Sequence, residues 1–553
     1  MLIELYLIPF TLNTITTITK KIEKSSFFWY YLRMKKSKLF SSIVLLSTCA
    51  IMACSCNRVT PDPEPEPELT IEKTKMAYTY MDVSKNYYTQ FNVIPNIGEP
   101  ELLILPIYFE DSSDFIPVDK KEIVKNDIEK AFFGTKDDVG FESVSSYYSK
   151  LSFGACNLKG TVSDWISVDT SYSEYGTNES KTINLVSQVV NKYFSTTNDS
   201  RKKYDLDGNG FLDGVVVIYG APDSDNVRGG SDLTNLWAYT NWDIYSSSDV
   251  DNPTLCNFFW ASFDFMYSRS VAQSKIGQRI GSGDTNDLLP IDTHVYIHEI
   301  GHMFGLVDYY DYSYQFSPAG GFSMQDFNVG CHDPYSVMAL GWCDPYIPTE
   351  SCTITLNKFQ SSREVILLTN EWNDINSPFD EYLLVEFYSP DGLNEFDSTN
   401  QYFKSNPMKR RPTGPNACGI RLWHVDARLL ANPSLRDVSK ITVDPNANGK
   451  VMHAMSNTYS GGSNSKSYTT YLGSSYANFN VLQLIRNEET ETYQSHNFFD
   501  NYSLFKDGSK FSMNTFGKQF VNKGRLNTNK VLGWNFSVKI EGEQAKISLT
   551  RTI

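Results

Sequence analysis

The stretch His298-Glu299-Ile300-Gly301-His302 constrains this chain more than any other. Two histidines four apart on a helix share one face, a turn from each other, within reach of a single ion. Glu299 stands beside the first ring, where it can act as general base on a water at that ion. Gly305 follows three residues after His302 and lets the helix stop and the chain turn back. Asp308 can then return as a third ligand, with Asp311 as its competitor. A catalytic zinc site takes about three protein ligands and keeps one open position. His298, His302 and Asp308 as ligands, with Glu299 as base, meet that requirement.

The rest of the chain divides by texture. Lys35, Lys36 and Lys38 precede an apolar stretch at 39–53 that has the length of a signal peptide and is too short to span a bilayer. It ends Ile51-Met52-Ala53-Cys54, which resembles the lipobox of bacterial lipoproteins. That resemblance implies cleavage before Cys54, acylation of its thiol and an anchor in a bacterial membrane. Residues 1–53 are thus expected to be a lipoprotein signal region, with Met34 as the start, and 54–74 a tether whose alternating Pro, Asp and Glu keep it extended. From residue 75 the pattern is globular. Apolar runs at 102–109 and 215–219 predict buried strands, and helical spacing at 121–133, 143–149, 182–194 and 291–304 predicts helices. Beyond residue 350, short β-branched and aromatic runs at 365–369, 382–388, 419–425, 536–540 and 545–550 predict strands. The expected fold class is α+β: a catalytic domain at 75–350 and a mostly β region at 351–553.

Charge excludes one class of partner. With 49 Lys+Arg against 64 Asp+Glu the net charge is −15, which repels phosphate backbones, so no nucleic acid is expected. The nine cysteines show no paired metal spacing. A second metal site is expected at Asp205, Asp207, Asn209 and Asp213, with the Phe211 carbonyl between them. Oxygens at loop positions one, three, five, seven and nine match the first part of a calcium-binding loop. Position twelve is Val216 and not the bidentate Glu, and a strand follows, so a structural calcium ion here needs further oxygens.

The motif extends to HExxHxxGxxD, followed by Asp308-Tyr309-Tyr310-Asp311, a Gly-rich segment Gly320-Gly321-Phe322-Ser323-Met324, and Leu340-Gly341-Trp342. With Ser143 to Tyr148, Phe153-Gly154, Glu381 to Phe387 and Arg421 to Asp426, this resembles the immune inhibitor A family of bacterial metallopeptidases over roughly residues 100 to 430. Val307 departs from the family, which commonly has Pro there. The resemblance implies a metzincin-like zinc endopeptidase, with Met324 as the Met-turn under the metal. It implies protein or peptide substrates, while the lipobox implies an exported lipoprotein of the outer membrane or cell surface, or one facing the periplasm. The competing expectation is a surface adhesin or glycan-binding lipoprotein with a peptidase-like domain; an intact His298, Glu299 and His302 argue against it. His332 and Tyr335 are candidate oxyanion donors. His424 and Asp426 could orient a ligand or bind substrate, but nothing in the spacing ties them to the metal, so they are expected at a strand end, facing solvent or capping a turn.

Overall fold

In the computed structural model the apolar run near residue 102 becomes strand β1 (Glu101–Phe109). The structure describes residues 71–553 except 89, 177, 224–235, 243, 268–290, 400–410, 436 and 459–477. The signal region, Cys54 and all but the last residues of the expected tether lie outside the described residues.

Around β1 lie β2 (Lys159–Val162), β3 (Ile166–Val168), β4 (Gly214–Tyr219), β5 (Tyr239–Asn241) and β6 (Phe258–Ser262). Among the described residues their order is β2-β1-β4-β6-β5, with β3 also on β1. All pairs are parallel except β5, which runs antiparallel at the edge. Parallel strands are buried on both faces, and the twofold alternation of side chains divides this core in two. Leu102, Ile104, Val216 and Ile218 face the helices Lys121–Phe133, Val144–Leu151 and His294–Met303. Leu103, Leu105, Val215 and Val217 face the helix Glu179–Thr196. The helix Lys121–Phe133 has the expected bounds, but Ile123 is exposed while Asp127 is buried, where it accepts from the Tyr267 hydroxyl.

The second half is rich in strands: β7 (Cys352–Asn357), β8 (Val365–Leu368), β9 (Glu381–Tyr388), β10 (Gly419–Asp426), β11 (Leu429–Ala431), β12 (Ile441–Thr442), β13 (Val451–His453), β14 (Leu482–Ile485), β15 (Lys510–Phe511), β16 (Trp534–Glu541) and β17 (Gln544–Arg551). They form antiparallel sheets ordered β14-β10-β9-β8, β12-β11-β13 and β15-β16-β17-β7. In β9 and β10 every residue is buried. Leu383, Val385 and Phe387 point one way, into an apolar layer shared with β16 and β17. Tyr382, Leu384 and Tyr388 point the other way, into the same apolar cluster as the helix His294–Met303. That cluster runs from Met76 to Leu504 and so draws on residues either side of position 350.

His424 and Asp426 close strand β10, as expected, but this double burial overturns their expected exposure. Neither faces solvent: both lie in the all-buried strand β10, His424 with Nε2 2.9 Å from the Glu381 carboxylate and Asp426 in a two-pronged ion pair with Arg428. The six cysteines among the described residues are all unpaired. No described helix is long and apolar enough to cross a membrane.

Candidate active site

The active-site helix begins at His294, three residues later than periodicity alone suggests. The Asp292 carboxylate accepts from the helix's first backbone N–H, that of His294, at 3.0 Å. The helix ends at Met303, and Gly305 follows with φ of 102°. The Leu306 N–H returns to the Gly301 carbonyl at 3.1 Å, a glycine-dependent helix stop. A β-carbon at Gly305 would also lie 3.0 Å from the side chain of Tyr80, so the turn is confined on both counts.

That turn brings Asp308 back to the helix. His298 Nε2 and His302 Nε2 lie 3.1 Å apart. Asp308 Oδ1 lies 3.0 Å from the first and 3.2 Å from the second. The other ring nitrogens fix the tautomers. His298 Nδ1 donates to the Met324 carbonyl at 2.7 Å, and His302 Nδ1 donates to the Leu306 carbonyl at 2.8 Å. Each imidazole hydrogen is thereby committed, and Asp308 Oδ1 accepts no hydrogen bond from the protein. Three lone pairs face one another at a separation that a cation among them stabilises. The same closeness shows in the electrostatics, where Asp308 favours a proton on His302 at the position a cation would take. Burial pushes the His302 pKa down, but Asp308 more than reverses this, to about 9. Burial raises Asp308, yet His302 and His298 hold it well below the usual carboxylate range. Two imidazoles and a carboxylate with second-neighbour carbonyls fit a zinc ion.

Glu299 is buried beside this cluster. Burial pushes its carboxyl above the ordinary value, partly offset by His302 and His298. The Thr240 hydroxyl, on edge strand β5, donates to the Glu299 carbonyl at 3.0 Å and has the carboxylate within 3.3 Å. Nothing around Thr240 in the sequence marks it; only the fold brings β5 to the helix.

Met324 is fully buried and opens the short helix Met324–Phe327 rather than sitting in a tight turn. The turn belongs to Gly320 and Gly321, with φ of 83° and 81°. What Met324 supplies to the site is its backbone carbonyl, which orients His298. His332 and Tyr335 do not face the cluster as oxyanion donors. His332 is enclosed between the Tyr147 hydroxyl at 2.8 Å and the Gln325 amide oxygen at 3.1 Å, and the Tyr335 hydroxyl meets that of Tyr80 at 3.0 Å. Asp311 is buried and accepts from the backbone N–H groups of Ser313, Gln315 and Phe316, so it organises the next loop.

At the second candidate site the three carboxylates expected as ligands stand together. Asp205, Asp207 and Asp213 each offer an oxygen within 4.8 Å of the others. The Asn209 side-chain oxygen accepts from the Phe211 N–H at 2.9 Å, and its amide nitrogen donates to Asp207 at 2.9 Å. Asp213 is buried with Oδ1 unpartnered; burial, then the charges of Asp207 and Asp205, push it up to about 8 despite a bond from the Leu206 N–H.

Residues 120–325 match the family described as immune inhibitor A peptidase M6, catalytic domain, a span that holds His298, Glu299, His302, Asp308 and Met324. No curated protein matches the chain. The helix, its glycine stop and the returning aspartate lie inside that span: the chain carries the catalytic domain of the immune inhibitor A peptidase M6 family of metallopeptidases at residues 120–325.

Proposed function

We propose that this protein is an exported, lipid-anchored zinc endopeptidase that hydrolyses peptide bonds of extracellular proteins. The observation that carries the proposal is the convergence of His298, His302 and Asp308 on one point beside a buried Glu299. A zinc ion held there supplies Lewis acidity to a scissile carbonyl and acidifies water. Glu299, lifted by burial, takes up a proton from the attacking water and returns it to the departing amine. The Met324 and Leu306 carbonyls keep both imidazoles in the ligating tautomer throughout. Edge strand β5 reaches Glu299 through Thr240.

The test is cleavage of unfolded casein by the purified protein. Internal fragments, abolished by a zinc chelator and restored by zinc, are the expected result. Release of terminal residues only, or no cleavage by zinc-loaded protein, contradicts it. The anchor rests on Ile51-Met52-Ala53-Cys54. Fatty-acid label is expected on the wild type and absent from Cys54→Ala; equal label in both refutes it. A structural calcium ion at Asp205, Asp207 and Asp213 completes the proposal.

A further inference from the structure

The segment after Asp308 places a tyrosine at every second position: Tyr310, Tyr312 and Tyr314. The Tyr310 ring lies 6.5 Å from that of His298. Tyr314 stacks on Tyr310 with ring centres 6.2 Å apart and planes 11° apart, and Tyr312 adjoins Tyr310 at 5.1 Å. On another side Tyr310 meets Phe327 at 6.3 Å, and Phe327 meets Phe498 edge to face at 5.4 Å. Rings therefore run without a break from a metal-ligating histidine to the surface, all within the range of aromatic contact. They end exposed: Tyr314 is 68% accessible, and Tyr312 and Phe498 are 40%.

These rings stand on fixed backbone. Asp311 accepts three backbone N–H groups of their loop. Tyr314 holds φ at 52°, a conformation that disfavours a bulky residue and persists only where its surroundings impose it. Beside Phe498, the Phe499 N–H is tied to the Gly320 carbonyl at 2.7 Å and the Asn497 carbonyl accepts from Arg486 at 2.6 Å. The Tyr312 hydroxyl donates to Asp308 Oδ2, so the wall is joined to the third ligand itself. Large apolar surface kept in water on an ordered frame, beside a reacting centre, is the form of a binding subsite.

We propose that Tyr312, Tyr314 and Phe498, backed by Tyr310 and Phe327, form a specificity subsite that receives a large apolar, preferentially aromatic, substrate side chain flanking the scissile bond. This rests on the peptidase reading above. The occupant is a side chain of the substrate because the wall begins at two groups that hold the metal site, His298 and Asp308. It is apolar because the wall presents ring faces and the nearby carboxylates are engaged, Asp308 in the cluster and Asp311 with its loop.

The experiment compares kcat/KM for two fluorogenic peptides that differ only in Phe or Ala at one position beside the cleaved bond, with each flanking position tried. Burial of a large side chain predicts that at one of these positions the wild type favours Phe by about 10- to 100-fold. The double variant Tyr314→Ala/Phe498→Ala is expected to bring that ratio down at least fivefold by the same reasoning, to roughly the value for an unwalled site. Tyr314→Phe is expected to keep it. Zinc content and melting temperature, measured on each variant, identify any loss of fold. A wild-type ratio near one at every position, a preference for Lys or Arg, or a ratio unchanged in the double variant overturns the subsite while leaving the peptidase standing. No cleavage of either peptide by zinc-loaded wild type overturns the peptidase reading and the subsite with it.

Discussion

A β-carbon on Gly301 would lie 2.1 Å from the Gln325 amide oxygen. That amide is held by His332, which is held in turn by Tyr147, so the neighbour has no slack to give. The glycine inside the active-site helix thus follows from a side chain that the sequence places elsewhere. Asp308 and Asp311 differ in a similar way: one turns to the histidines and the other to its own loop. Asp308→Ala is expected to lose zinc on dialysis against a weak chelator, whereas Asp311→Ala keeps it. Asp311→Ala is expected to lower stability by about 1–3 kcal/mol, because half-buried N–H groups lose their acceptor. Zinc content and urea unfolding check both, and the reverse pattern of zinc loss defeats the ligand assignment. His298, Glu299, His302 and Asp308 were legible because their geometry is local, fixed by helix pitch and one glycine. His332 and His424 were not, because their surroundings come from Tyr147 and Glu381, far along the chain.

The strands and longer helices were legible for a related reason. An apolar run such as β4 must be buried wherever it goes, and the twofold and 3.6-residue periods identify what buries it. Pairings between distant elements leave no such mark. His294, at the start of the active-site helix, lies between Asp292 at 2.7 Å and Asp397 at 3.0 Å, stacks on Phe141, and has Arg411 behind Asp292 at 3.4 Å. Burial pushes the His294 pKa down, but Asp397 and Asp292 more than offset it, so its folded pKa is raised. A raised pKa means stability that is full below the unfolded value of about 6.5 and lost as pH rises through the folded value. Wild type is therefore expected to melt at lower temperature as pH rises above about 6.5, with a shallower slope in His294→Asn. Equal slopes refute the clamp. The loop before β4 carries Asp205, Asp207 and Asp213. Calcium is expected to raise the melting temperature of wild type and have little effect on Asp207→Ala, since a ligand of the folded state alone stabilises it. An equal response in both proteins makes the loop a turn and no more.

Across the molecule, the second half of the chain supports the site made by the first. Arg421 of β10 pairs with Glu386 of β9 and donates to the Phe322 carbonyl at 3.0 Å. Arg486 donates to the Ser317 carbonyl, and the Leu484 N–H to that of Pro318, both at 2.9 Å. The segment that ends at Met324 is thus pinned by strands β10 and β14, and through the Met324 carbonyl it orients His298. Composition announced a mostly β second half but not this contact, because no local pattern records which sheet a loop will rest on. All these supports converge on one chemical assertion, that Glu299 serves the reaction and does not hold the metal. Zinc per molecule and peptide turnover, measured together on Glu299→Ala, test it most directly. Wild-type zinc content with turnover lowered by about 100- to 10,000-fold is the expected result. Turnover within tenfold of wild type, or zinc lost with the side chain, would contradict it.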